Sequence, residues 1–355
     1  MSIATITLVK IFIPAALAFG AGILMTPFFT HYFYKYRMWK KNPRGTGEPV
    51  SAAFKKVHNE KGELSTPRVG GILVWFSVLV VVCGLALVAW IFPSDATEKL
   101  NFLSRGQTFI PLFALVAAAL VGLSDDLLQI YGKGAYAVDA VVYRKVKASV
   151  IILIGFIIAW WFVMKLGVTH VYFPFYGDLE LGLWFIPFFI FVMFATFSTS
   201  VIDGIDGLAA GVLAPIFIGY AAIAFFNNQI DLAALASAIS GALLAFLWFN
   251  IPPARFYLGE TGILGLTVTL SVFAFMTDTV FLLPIIAFPL VVTSASSSIQ
   301  MLSKRYRNGK KVFLVAPLHH HFEALGWPSY KVVMRYWVIS MISVIIGVVL
   351  VTLGK

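Results

Sequence analysis

The amino-acid sequence predicts an all-α, polytopic integral membrane protein with about ten transmembrane helices. Three observations predict this fold class. Hydrophobic residues make up 60% of the 355 residues and charged residues only 12%, with a mean hydropathy of +0.91. Apolar segments recur along the chain at close to the length of about 20 residues that a membrane-spanning helix needs. Most basic residues lie between these segments. We therefore expect a single transmembrane domain over residues 1–355.

Ten apolar segments are candidate spans. They cover approximately residues 8–30, 70–92, 108–123, 148–164, 184–199, 208–226, 232–249, 262–277, 280–301 and 336–353. In the ninth segment Pro284 and Pro289 precede a run of Thr and Ser, so we expect this helix to be kinked or broken. The first segment has no small-residue cleavage site after it, so we expect it to be a span and not a signal peptide.

The basic residues predict the orientation of these spans. The loops after spans 1, 3, 5, 7 and 9 hold 9, 4, 0, 1 and 7 of the 26 Lys and Arg residues. By the positive-inside rule these loops are cytoplasmic and both termini lie on the outer side. The net charge of +10 would also suit nucleic acid. The confinement of the charge to loops between spans favours membrane orientation, so we exclude nucleic acid as a partner.

Acidic residues stand at the predicted cytoplasmic ends of the spans. Asp125 and Asp126 are adjacent at the end of span three, where two carboxylates need a cation or a proton-transfer role unless they form a solvated helix cap. Asp203 and Asp206 lie in Asp-Gly-Ile-Asp-Gly, which indicates a binding loop or a tight turn. Glu260 is the only acid in the loop between spans seven and eight. This set predicts a hard divalent cation, and Mg²⁺ with a diphosphate is the usual pairing.

Neighbouring residues suit a phosphorylated nucleotide. Lys61 and Arg68 in the first loop could bind phosphate, although solvated loop charges are the simpler interpretation. Asn250 could hydrogen-bond a base and Tyr257 could stack on it. The alternative for Tyr257 is an aromatic residue at the membrane interface.

Three consecutive histidines, His319, His320 and His321, follow span nine in Pro-Leu-His-His-His-Phe-Glu. Alone they suggest a metal or phosphate site. Because Mg²⁺ prefers the oxygen ligands that the carboxylates already supply, we expect the histidines to donate hydrogen bonds to phosphate or sugar.

The ordered set of motifs resembles the polyprenyl-phosphate N-acetylhexosamine-1-phosphate transferase superfamily. The motifs are Thr-Pro-x-x-Gly-Gly at 66–71, Asp-Asp at 125–126, Asp-Gly-x-Asp-Gly at 203–207, Asn-x-Pro-Pro-Ala at 250–254, Gly-x-Thr-Gly at 259–262 and Pro-Leu-His-His-His-Phe-Glu at 317–323. The resemblance covers nearly the whole chain and includes the predicted topology. The histidine motif resembles the phospho-N-acetylmuramoyl-pentapeptide branch.

This resemblance implies a reaction, its partners and a cofactor. The branch transfers phospho-N-acetylmuramoyl-pentapeptide from UDP-MurNAc-pentapeptide to undecaprenyl phosphate, which gives lipid I and UMP in peptidoglycan biosynthesis. It implies Mg²⁺ as cofactor and a location in the bacterial inner membrane, within the lipid bilayer and with the active site facing the cytoplasm. It also allows a homodimer.

The resemblance implies roles for individual residues. The lipid phosphate would attack the sugar-linked phosphorus directly, with Asp125 or Asp126 as base, or the reaction would pass through a covalent aspartyl intermediate. The catalytic residues implied are Asp125, Asp126, Glu260, Lys61 and His319, of which the first three would bind the metal, chiefly through Glu260. The substrate-binding residues implied are Thr66, Ser200, Asp203, Asp206, Asn250, Tyr257, His320 and His321.

Two residues depart from the family pattern. Ser200 stands where the family usually has Asn, and Glu260 stands where it usually has Asp. We expect a working but divergent enzyme. The alternatives are a sibling transferase that uses UDP-N-acetylglucosamine or a related sugar, an inactive scaffold, and an ion-coupled transporter. The position of the acids at span ends disfavours the transporter.

Overall fold

The computed structural model describes residues 3–40, 64–104, 106–132 and 140–354, and most of these residues are helical. We number the helices in chain order. They are α1 (Ile3–Lys35), α2 (Gly71–Ile91), α3 (Asp95–Leu100), α4 (Phe109–Ile130), α5 (Ala140–Trp161), α6 (Phe185–Phe197), α7 (Leu208–Phe226), α8 (Ile230–Asn250), α9 (Gly259–Met276), α10 (Leu283–Ile286), α11 (Phe288–Tyr306), α12 (Leu318–Ala324) and α13 (Ser329–Gly354). A π-helical turn (Phe162–Leu166) extends α5, and short 3₁₀ helices flank α6 (Gly182–Trp184 and Ser198–Ile202).

Nine helical segments in these described ranges are long and apolar enough to cross a membrane. The all-α polytopic fold is therefore confirmed. The ninth predicted span, residues 280–301, is broken at Ala287 into α10 and α11, as the prolines predict. Pro284 and Pro289 each occupy the first turn of one of these helices, where the missing N–H of proline has no intrahelical partner to lose.

Several helices extend beyond the predicted ends of their spans. Helix α4 runs to Ile130, so Asp125 and Asp126 lie inside it and not after it. Helix α13 begins at Ser329, seven residues before the predicted start, and it includes Lys331 and Arg335. These predicted bounds were wrong because hydropathy falls at charged residues, whereas the hydrogen bonding of a helix continues past them.

Helix α9 lies at the centre of the bundle. In its apolar window 94% of the residues are buried, against 33% in the window of α13. The same helix has the lowest hydropathy of the nine, because it contains buried hydroxyl residues such as Thr267 and Thr269. Their hydroxyls donate to the carbonyls of Ile263 and Gly265 at 2.8 and 2.7 Å. Internal bonds of this kind allow a helix surrounded by protein to carry polar side chains.

A two-stranded hairpin follows α5 and was not predicted from the sequence. Strands β1 (His170–Phe173) and β2 (Gly177–Glu180) pair antiparallel, with His170 opposite Glu180. The hydroxyl of Tyr172 donates to the carbonyl of Gly354, so the hairpin lies against the end of α13. Because successive spans alternate in direction, this is the opposite end of the bundle from the acidic motifs.

Candidate active site

Three helices meet closely where the acidic residues converge. A Cβ atom at Gly122 on α4 would overlap the carbonyl oxygen of Glu260, and one at Gly71 would overlap Gly262. The first turn of α9 therefore packs between the end of α4 and the start of α2. Backbone bonds from Gly71 N to Leu258 O and from Tyr257 N to Pro67 O, at 2.9 and 2.8 Å, join the two segments that enter these helices.

An ammonium group links two of the predicted metal ligands. Nζ of Lys147, on α5, lies 2.6 Å from Oδ2 of Asp125 and 2.9 Å from Oε2 of Glu260. The Lys147 and Asp125 side chains are only 17% and 6% exposed. A pair so little exposed to water is screened weakly, so this ammonium offsets much of the repulsion between the two carboxylates.

Asp126 is fully buried beside Arg68. Its Oδ2 accepts a hydrogen bond from the Thr261 backbone at 2.9 Å, and Nε of Arg68 lies 3.8 Å from its Oδ1. Arg68 is itself buried, so its predicted alternative as a solvated loop charge is wrong. The pair connects the first loop to the start of α9, and it places a second cation beside the three carboxylates.

The carboxylate oxygens of Asp125, Asp126 and Glu260 are the kind of ligand that a hard cation prefers. Oδ1 of Asp126 is buried and accepts no hydrogen bond from the described residues. The three acids supply the oxygen ligands that Mg²⁺ prefers. The part of the chain that the structure describes contains no group of three acidic, His or Cys side chains already arranged around one metal position. Lys147 stands between two of the three acids.

The Asp-Gly-Ile-Asp-Gly segment forms a turn between a 3₁₀ helix and α7. Oδ2 of Asp203 accepts from the backbone of Gly259 at 3.1 Å, and Oδ2 of Asp206 accepts from Ala254 at 3.2 Å. Burial raises the pKa of Asp206, and the hydrogen bond from Ala254 opposes that rise. Both aspartates therefore hold the turn against the segment that leads into α9. Their predicted contact with the uridine stays a prediction.

Gly259 is required where this turn meets α9. Its φ of +68° lies in the left-handed region, which favours glycine. A Cβ atom here would also lie 2.6 Å from Oδ2 of Asp126. The backbone can thus approach Asp126 while its N–H points to Asp203.

The side-chain amide of Asn250 stabilises the turn through hydrogen bonds at both its oxygen and its nitrogen. Its Oδ1 accepts from Gly207 at 2.8 Å, and its Nδ2 donates to Phe256 O at 2.9 Å. Tyr257 is half-buried on the same segment, Thr66 is buried two residues before Arg68, and Ser200 is half-buried in the 3₁₀ helix that precedes the turn. The structure brings these predicted substrate-binding residues to one end of the bundle, and their roles stay predictions.

The histidines lie on α12, which packs against the turn. A Cβ atom at Gly204 would lie 2.5 Å from Nε2 of His319 and 3.0 Å from Nε2 of His320. His319 is fully buried, and neither ring nitrogen has a hydrogen-bond partner among the described residues. Burial, aided by His320, holds the pKa of His319 well below its usual range, so the ring is neutral at pH 7.

The other two histidines are already hydrogen-bonded. Nδ1 of His320 pairs with Oε2 of Glu323 at 2.7 Å. Nδ1 of His321 accepts from the Leu314 backbone at 3.2 Å, which leaves Nε2 as the nitrogen that carries its proton when neutral.

Lys147 is the site residue that the sequence did not single out. It stands one residue before the predicted start of span four, where it contributes only to the basic residues that predict orientation. A lysine at the edge of an apolar helix is a weak signal, and its acidic partners lie 22 and 113 residues away in the chain. Lys61 falls outside the described residues, so its predicted role stays a prediction.

Comparison with known proteins identifies the family of this chain. The family described as Glycosyl transferase family 4 matches residues 108–278, which include α4 and α9. A phospho-N-acetylmuramoyl-pentapeptide-transferase of Caldanaerobacter subterraneus subsp. tengcongensis is 30% identical over 340 residues, which is 95% of this chain and 98% of that protein. The protein of the same name from Thermoanaerobacter sp. strain X514 is 32% identical with the same coverage. The Rubrobacter xylanophilus protein of that name is 34% identical over 78% of this chain and 80% of its own. The chain therefore belongs to the phospho-N-acetylmuramoyl-pentapeptide-transferase family of multi-pass membrane proteins.

Proposed function

We propose that this protein transfers phospho-N-acetylmuramoyl-pentapeptide from its UDP carrier to undecaprenyl phosphate and releases UMP, which yields lipid I for peptidoglycan synthesis. One observation carries the proposal beyond the names of the relatives. Asp125, Asp126 and Glu260 converge with Lys147 and Arg68 at the end of the bundle where α2, α4 and α9 meet. A cluster that mixes carboxylates with cations can bind a phosphate and also influence its ionisation.

In the proposed reaction an oxygen of the acceptor phosphate attacks the phosphorus linked to the sugar. A new P–O bond forms at the sugar-linked phosphorus, the bond from that phosphorus to the oxygen that bridges the two phosphorus atoms breaks, and UMP leaves with the bridging oxygen and the bonding electrons. Asp126 already holds the Thr261 backbone and faces Arg68, so Asp125 is the better placed carboxylate to keep the acceptor phosphate ionised. A two-step route through a covalent aspartate would use the same residues.

Asp125, Asp126 and Glu260 would hold Mg²⁺, and the ion would supply positive charge at the donor diphosphate. The carboxylates of Asp125 and Glu260 would then contact both the metal and the Lys147 ammonium. Arg68 keeps Asp126 in place beside Thr261.

The remaining residues would bind the donor. Tyr257 and Asn250 would flank the uridine, with Asp203 and Asp206 holding the turn beside it. The neutral ring of His319, with His320 and His321, would hydrogen-bond phosphate or sugar. Thr66, Ser200 and Lys61 are assigned to the same substrate. The excess of basic residues in the loops at this end supports an active site on the cytoplasmic face of the bacterial inner membrane.

A test of the proposal measures UMP release by purified protein with undecaprenyl phosphate and UDP-MurNAc-pentapeptide, with and without Mg²⁺. We expect Mg²⁺-dependent release, and we expect Asp125→Asn to lower it by about 10²-fold or more because it removes a general base. The exposed Asp95 on α3 provides a matched control, and Asp95→Asn should leave release unchanged. Release from UDP-N-acetylglucosamine in place of the muramoyl donor would contradict the proposed substrate, and no release from either donor would contradict the proposed reaction.

A further inference from the structure

Beside the histidine motif lies a group of four residues that the proposed reaction does not use. We call Phe322, Trp327, Lys331 and Arg335 the Trp327 platform. The rings of Phe322 and Trp327 stack with centroids 4.9 Å apart and an interplanar angle of 18°. On the Trp327 ring lie Cζ of Arg335, 4.2 Å from the centroid, and Nζ of Lys331, at 5.1 Å. Two cations thus share one aromatic ring.

These two cations have no anionic partner in the described part of the chain. Lys331 and Arg335 are exposed, lie one turn apart on α13, and pair with no carboxylate within 4.0 Å. Glu323 on the adjacent helix is already engaged by His320 and by the Ser329 hydroxyl, at 2.7 and 2.5 Å. Like charges one helical turn apart repel each other, so an anion bound between them would be favourable.

The Trp327 platform is built on the two helices that pack against the Asp-Gly-Ile-Asp-Gly turn at residues 203–207, which we call the acidic turn. Helix α12 carries Phe322 and also places His319 against Gly204. Helix α13 carries Lys331 and Arg335, and its Trp337 donates to Gly207 O at 3.0 Å. The platform therefore lies at the same end of the bundle as the site. A peptide of five residues spans at most about 17 Å when extended, a reach that suits a platform on the neighbouring helices.

We infer that the Trp327 platform binds the terminal carboxylate of the donor's pentapeptide. The inference rests on the proposed function. A muramoyl group is an acyl group, so it joins the peptide through its amino end and leaves a free carboxylate at the other end. Arg335 presents a planar guanidinium that pairs with carboxylates in a fork geometry, and Lys331 adds a second charge. Stacking on Trp327 holds both cations in place, which lowers the entropy lost when an anion binds.

The experiment compares two donors that differ only at this end, the UDP-MurNAc-pentapeptide with a free carboxylate and the same donor with a terminal carboxamide. We expect amidation to raise the KM of the wild-type protein for the donor by about 3- to 10-fold, the range for one partly exposed charged contact. Arg335→Gln and Lys331→Gln should raise the KM for the free carboxylate and leave that for the carboxamide unchanged. Arg335→Lys, which keeps the charge, should retain most of the preference.

The exposed Arg305 on α11 provides the control, since its guanidinium also lies on an aromatic ring, that of Tyr306, at 5.7 Å. Arg305→Gln should preserve the wild-type preference. If Arg335→Gln changed the KM for both donors equally, or for neither, the inference would be overturned and the proposed function would stand. A change only in the KM for undecaprenyl phosphate would overturn it in favour of a lipid phosphate as the ligand. Absence of UMP release by the wild-type protein with either donor would overturn the proposed function, and the inference with it.

Discussion

At the scale of single residues, each of the three carboxylates at the site lies beside a cationic side chain. Glu260 stands where the family resemblance predicts an aspartate, and its longer side chain reaches Lys147 at 2.9 Å. The same ammonium bonds Asp125, so the extra methylene of Glu260 is accommodated by a cation that both carboxylates share. This compensation supports an active enzyme over the inactive scaffold that the substitution alone left open.

The bridging role of Lys147 can be tested by Lys147→Met. Without the ammonium, Asp125 and Glu260 repel each other, and we expect the free energy of unfolding to fall by about 1–3 kcal/mol. This loss is smaller than that for a fully buried ion pair because Lys147 is partly exposed. Mg²⁺ should then raise the thermal unfolding midpoint of the variant more than that of the wild-type protein, as measured in detergent solution. The exposed neighbour Lys145 supplies the control variant Lys145→Met. An equal Mg²⁺ effect in both variants would argue against the bridge.

Close approach of the helices determines where the functional groups meet. The first turn of α9 carries Glu260 and Thr261 between α2 and α4, and side chains on these helices would separate them at Gly71 and Gly122. Asp126 then bonds Thr261 across the contact. The geometry of the candidate site therefore depends on backbone separation between helices as much as on the acids themselves.

The contact between α4 and α9 can be tested by Gly122→Ala. The added Cβ would overlap the Glu260 carbonyl and displace the first turn of α9. A displacement near 1 Å at a catalytic group lowers the rate by about 10²-fold, so UMP release should fall by about that factor. Gly84→Ala on α2 is the matched control because a Cβ there meets nothing within 4 Å. Activity retained in Gly122→Ala would show that this contact does not position Glu260.

At the scale of the molecule, the two ends of the bundle are chemically different. One end carries the acidic turn, the histidines and the Trp327 platform. The other carries the β1–β2 hairpin, joined to the end of α13 through Gly354. The distribution of Lys and Arg predicts that the first end faces the cytoplasm. The described residues contain nine helices long and apolar enough to cross a membrane, and the predicted ninth span is divided at Ala287.

Cysteine labelling in intact cells tests this orientation. In a Cys83→Ser background, Asp178→Cys on the exposed hairpin should react with a thiol reagent that cannot cross membranes. Lys310→Cys, exposed after α11, should react only after the cells are opened. Labelling of the two positions in the reverse order would invert the topology and place the site outside.

The sequence by itself determined the all-α membrane fold, the interruption of the ninth span and the family. Each of these depends on local properties, namely hydropathy over about 20 residues, proline positions and short motifs in a fixed order. The ends of α4 and α13 were less predictable, because hydropathy does not report where helical hydrogen bonding stops.

Only the tertiary structure decided which charges face each other. Lys147 meets Glu260 across 113 residues of chain, and Arg68 meets Asp126 only because α2 and α4 both pack against α9. The Trp327 platform likewise depends on how α12 folds back on α13. A single sequence carries no local signal for such pairs, since their energies arise only when distant segments are packed together and shielded from water.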